Sequence, residues 1–142
     1  LLPADSWNEF KAISMLAWCS SGIHPYLSRI NGPQKVCDIS NTSESVRRLS
    51  AQTLYENFKI AEDLLNGQEY FFGNFTAVDA HFFWCTRRAT QLNFDLSPYP
   101  NVINHFERLK LLFQVYYIPV VVSTGLSQSF SHPKPYVSCQ EE

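Results

Sequence analysis

The sequence predicts an all-α fold, a bundle of five or six helices. Three observations predict it. Apolar residues recur at helical spacing in separate segments, as in Val78, Phe82, Cys85, Ala89 and Leu92, at steps of four, three, four and three. Those segments are bounded by cap and turn residues. No stretch alternates convincingly as a strand; only Val120-Val121-Val122 carries β-propensity. No internal repeat is visible.

In chain order, Ser6-Trp7-Asn8-Glu9 is a capping-box pattern that starts a first helix at about Ser6. Trp7, Phe10, Ile13, Leu16 and Ala17 form one face. Met15 and Trp18 widen it, which implies more than one neighbour. Ser20-Ser21-Gly22 weakens the helix, and Pro25 kinks or ends it, with a shorter continuation through Tyr26, Leu27 and Ile30. A polar loop follows from Asn31 to Ser43. The second helix runs from about Ser43 to Leu65 on the stripe Leu54, Phe58, Ala61 and Leu65, preceded by Val46 and Leu49. Asn66-Gly67 ends it.

Gly73 and Asn74 then make a turn into the helix around which the chain is organised. Thr76 and Asp79 form a second capping box, with Phe75 and Ala80 placed for a hydrophobic staple. Thr76 and Asp79 are therefore structural N-cap residues. Phe83 and Trp84 beside the stripe leave this helix apolar around most of its girth, so it belongs at the centre of the domain. It ends near Leu92-Asn93. Ser97 to Asn101 is turn chemistry, with Pro100 placed to begin a helix that carries Val102, Phe106, Leu109 and Phe113. A short last helix is expected after Pro119, through Val122 to about Leu126. The tail 127–142 is expected to be extended or partly disordered.

Composition narrows the function. Aromatic residues make up 15% and all hydrophobic residues 45%, so 142 residues suffice for one domain with a sizeable core. The net charge of −2 gives nucleic acid or an anionic membrane little to bind. No apolar run reaches the length of a membrane span, and Pro119 interrupts the most apolar stretch. The chain opens without Met or a signal sequence, as a fragment or processed chain does. Cys19, Cys37, Cys85 and Cys139 show no paired spacing and read as free thiols in a reducing compartment. With no secretion signal, the sequons at Asn41 and Asn74 read as chance matches. His81 and Cys85 stand one turn apart, as metal ligands do, yet no further ligand accompanies them and packing explains both. No Ser-His-Asp set, phosphate loop or Cys-x-x-Cys pair is present.

Four stretches together resemble one family. Leu1-Leu2-Pro3-Ala4 is similar to the end of an interdomain linker. Trp18-Cys19-Ser20-Ser21-Gly22-Ile23-His24-Pro25 resembles the family's first long C-terminal helix. Gly73-Asn74-Phe75-Thr76-Ala77-Val78-Asp79-Ala80 resembles its most specific motif, and Asp95 to Val102 matches the entry to the next helix. The family is the bacterial, beta-class-like glutathione transferases, and residues 1–126 resemble their helical C-terminal domain. The resemblance implies a cytoplasmic homodimer whose dimer face is built on the first two helices. It also implies an N-terminal thioredoxin-like domain, absent from this chain, that holds glutathione as co-substrate and supplies the catalytic group. This domain would then contribute no catalytic residue. It would form one wall of the site for a small electrophilic substrate, through His24 with Trp18, Ser21, Tyr26 and Arg88. Pro25 stands where the family often has Lys, and Arg88 where it often has an aromatic residue. Related domains also serve as non-catalytic protein-interaction modules, which is the alternative expectation.

Overall fold

The computed structural model describes the backbone of residues 1–123 and the side chains of residues 1–114. Among these the fold is all-α. Five α-helices are present: α1 (Ser6–Trp18), α2 (His24–Asn31), α3 (Ser43–Leu64), α4 (Ala77–Gln91) and α5 (Pro100–Ser123). The one extended pairing among the described residues is an isolated bridge between Phe72 and Asn74. No helix there is long and apolar enough to cross a membrane.

The first two helices form a single kinked rod. A π-helical turn, Cys19–Ile23, joins them, and the His24 N–H donates to the Cys19 carbonyl five residues back. Pro25 has no N–H to give the Ser21 carbonyl. The wider turn absorbs that gap instead of ending the helix. Ser20 and Ser21 donate their hydroxyls to the Leu16 and Ala17 carbonyls, a bond that also favours bending.

Around this rod the core is assembled from the expected stripes. Leu54, Phe58, Ala61 and Leu65 are buried, as are Val78, Phe82, Cys85 and Ala89. Gly67 takes the left-handed conformation after α3, and Asn93 does so after α4. The turn into α5 is bolted to α3. Glu62 accepts the Asn101 and Val102 N–H groups, one on each carboxylate oxygen, at 3.0 Å each, so it caps the helix that Pro100 begins. The Tyr99 hydroxyl donates to the Tyr55 carbonyl at 2.9 Å.

Several expectations need correction. Asp5, not Ser6, caps α1, accepting from the Asn8 N–H. The α1 face is turned outward: Trp7, Phe10 and Ile13 are 65%, 63% and 52% exposed, and the small Ala12 is the buried residue of that helix. Leu49 is 55% exposed while Ser50 beside it is buried. Trp84 is 42% exposed, so α4 is not enclosed on all sides. Phe106 and Phe113 are only half-buried. No separate helix begins after Pro119; α5 continues through it to Ser123, Val120 to Val122 included. The expected continuation to Leu126, the tail 127–142 and Cys139 lie outside the described residues.

Candidate functional site

The cap of α4 is more than a cap. Asp79 is fully buried and its carboxylate accepts four hydrogen bonds. The Thr76 N–H and hydroxyl each reach Oδ2 at 2.8 Å. The Phe71 N–H reaches Oδ1 at 3.1 Å, and Nε2 of His105 lies 3.0 Å from the same oxygen. Burial alone pushes this carboxyl up. The bonds from His105, from the Thr76 backbone and hydroxyl, and from Phe71 outweigh it and hold the carboxyl below its ordinary value. A hydroxyl, a carboxylate and an imidazole in one cluster invite comparison with a nucleophilic triad. The order is wrong for that, because the carboxylate stands between the other two and the imidazole does not reach the hydroxyl. The cluster ties the 70–76 loop, α4 and α5 together.

Trp18 is likewise held inward. Its indole N–H donates to Asn57 Oδ1 at 2.6 Å, and its ring stacks on Phe82 with centroids 6.3 Å apart. Asn57 is buried and gives its own amide to the Thr53 carbonyl at 2.8 Å. Gly22 makes room for this pair. A Cβ there would stand 2.8 Å from Asn57 Oδ1 and 3.0 Å from Trp18 Cδ1. Gly22→Ala is therefore expected to destabilise by about 1–2 kcal/mol, the clash outweighing the helix preference for Ala. Urea unfolding measures it. In an Asn57→Ala background most of that penalty should vanish, and full additivity would show that the two sites are not in contact.

The other expected site residues are dispersed. Tyr26 packs against the core beneath the Arg29 guanidinium, which sits 4.6 Å from its ring centre. Ser21 is exposed and bonded to its own helix. His24 is exposed and leans on Trp84, centroids 4.5 Å apart. Arg88 is half-buried and donates to Gln91 at 3.1 Å. Trp84, Arg87, Arg88 and Gln91 line a hollow of about 240 Å³. So His24 and Arg88 approach one another through Trp84, whereas Trp18 and Tyr26 pack on the core. Trp84 is the residue the sequence reading missed as a surface group. Its signal was available, since residues 81, 84, 88 and 91 recur along one helix face. His81 is half-buried beside this group, and burial first and the His24 charge second push its imidazole down.

A larger groove of about 570 Å³ lies elsewhere, between α1, the end of α3 and the 71–73 loop. Phe10, Met15, Leu64, Phe71 and Phe72 give it an apolar lining, and none of the expected site residues faces it. Cys19, Cys37 and Cys85 are free thiols. Cys19 is fully buried; its hydrogen bond with Cys85, its burial and the Cys85 charge all push its thiol up, so it offers no thiolate nucleophile. Among the described residues no group of three or more His, Cys, Asp or Glu side chains is placed to hold a metal ion. Comparison with protein-family models, with characterised proteins and with solved structures returns no match.

Proposed function

We propose that this chain is the helical C-terminal domain of a cytoplasmic, homodimeric glutathione transferase, acting with an N-terminal thioredoxin-like domain that binds glutathione. The observation that carries the proposal is the Gly73 to Asp79 segment. Gly73 takes a left-handed turn, Thr76 and Asp79 form the reciprocal cap, and the sequence of that stretch is the one that most resembles the family. The outward apolar face of α1 and the groove beside it add support, because exposed apolar surface of this extent suits a face covered by another domain or subunit.

In this proposal the reaction is attack of the glutathione thiolate on an electrophilic carbon, the thiol being activated by the other domain. The present chain supplies the wall: His24 and Trp84, their rings tilted at 52°, offer an aromatic surface, and Arg88 adds a cation beside it. A second proposal, a non-catalytic interaction module, is favoured by one observation, that Trp18 and Tyr26 pack on the core while His24 is exposed against Trp84.

One experiment separates the two. The transcript is read upstream of Leu1, and the longer polypeptide is assayed for retention on glutathione resin and for conjugation of an aryl halide. Activity of the longer polypeptide, with none from the 142-residue chain alone, is the expected result. An upstream sequence without a thioredoxin-like domain, or a longer protein that neither binds nor conjugates, would overturn the transferase proposal in favour of the module.

A further inference from the structure

We propose that the face formed by His81, Trp84, Arg87, Arg88 and Gln91 on α4, with His24 against it, is a docking surface for an acidic segment of a protein partner. The inference does not rest on glutathione chemistry; it deepens the interaction-module proposal, because the transferase proposal gives the same surface to an electrophile.

Charge is the first observation. The chain as a whole is slightly acidic, at −2. Yet no Asp or Glu occurs between Glu9 and Asp38, the stretch that contains α2, or between Asp79 and Asp95, the rest of α4. Both segments that meet at this face are thus free of acids and carry His24, His81, Arg87 and Arg88. Among the described residues the close contacts between basic and acidic side chains are the buried His105 with Asp79 and Lys110 with Glu107, so neither Arg87 nor Arg88 has an acidic partner there. A second adjacent pair provides the contrast. Arg47 and Arg48 line a hollow together with Glu44 and Asp95, and Arg47 also donates to the Ile30 carbonyl at 3.2 Å. That pair has acidic company; Arg87 and Arg88 do not.

Shape is the second. The hollow of about 240 Å³ is smaller than the roughly 300–1,000 Å³ of sites that enclose a small molecule. Residues 81, 84, 88 and 91 instead form a line about 15 Å long on the helix surface. That is the span of four or five residues of extended chain at about 3.3 Å each. Two guanidinium forks take carboxylates bidentately, and a half-exposed Trp supplies the apolar anchor that peptide interfaces favour.

The test uses the 142-residue chain and a fluorescein-labelled acidic octapeptide containing one aromatic residue, read by fluorescence anisotropy at low and near-physiological salt. Saturable binding is expected. Arg87→Ala with Arg88→Ala should weaken it about tenfold or more, and Trp84→Ala several-fold, while Arg47→Ala with Arg48→Ala changes it less than about twofold. Arg47, Arg48, Trp84 and Arg87 are exposed and Arg88 is half-buried, and an unchanged melting temperature confirms that each variant is folded. Equal losses from the two arginine pairs, or no saturable binding, would overturn the proposal. So would full displacement by millimolar inorganic phosphate or acetate, which would make this a small-oxyanion site, or tighter binding of a single-stranded oligonucleotide.

Discussion

Asp79→Ala is expected to destabilise the chain by about 3–5 kcal/mol, several times the effect of losing a helix cap alone. A cap is worth on the order of 1 kcal/mol, at most about 2, and that is all the sequence reading assigns to Asp79. The structure adds two further dependants, the Phe71 N–H and the His105 imidazole. Deleting the carboxylate leaves buried donors at Thr76 and His105 without acceptors, and each such orphan costs about 1–3 kcal/mol. A domain of this size has about 5–15 kcal/mol in all, so the variant should sit near the edge of folding. Thr76→Ala removes one hydroxyl and should cost about 1 kcal/mol. Urea unfolding checks both, and equal effects would mean that Asp79 serves only as a cap. The pH dependence has a definite sign. The folded carboxyl is held below 3.8. Its contribution is therefore fully present above about pH 4 and is lost as pH falls through the folded value. Wild-type stability should drop on acidification below that point, and Asp79→Asn should remove that component of the drop.

The imidazole in this cluster shows where sequence stops being sufficient. Residue 105 lies three after Val102 and four before Leu109, on the buried stripe of α5, so its position was legible. Its polarity hid it, since a His on an apolar stripe has no visible reason to be buried until a carboxylate on another helix is known to face it. Nδ1 is its unpartnered atom, and Nε2 carries the N–H that Asp79 accepts, an assignment that follows from the bonding pattern. The π-turn at Cys19–Ile23 was legible as a disturbance, through Pro25, but not in form, because ending, kinking and widening a helix all answer the same missing N–H. The α1 stripe failed for another reason. Periodicity identifies an apolar face, and it cannot say that the neighbours within the chain meet Ala12 instead of Trp7, Phe10 and Ile13. Of the expected electrophile wall, spacing placed Arg88 on a helix and His24 at a bend. That Trp84 stands between them depends on how α2 crosses α4, which no local pattern encodes.

Phe82→Ala is the second large effect expected, at about 3–5 kcal/mol. Phe82 is fully buried where α1, α3, α5 and the 70–76 loop converge on α4. Its ring stacks on Trp18 of α1 at 6.3 Å and meets Phe58 of α3, Phe71 of the loop and His105 of α5 edge-on at 6.0, 5.2 and 5.7 Å. Truncation opens a cavity where these elements converge and uncovers the Asp79–His105 pair. Its effect should therefore fail to add with that of Asp79→Ala in the double variant. The next two residues supply the control. Phe83 is half-buried, stacked on Phe106 at 5.2 Å and tilted against Phe113 at 5.0 Å, and its truncation should cost less, roughly 1.5–3 kcal/mol. Trp84 is 42% exposed, and its loss should stay within about 0.5–1 kcal/mol. Three consecutive aromatic residues on one helix should thus rank 82, 83, 84 in denaturant. A Trp84 variant as unstable as the Phe82 variant would mean that the outer face of α4 is packed. The expected order leaves Trp84 free of the folding core, so that its removal can test the face it shares with His24 and Arg88 without unfolding the chain.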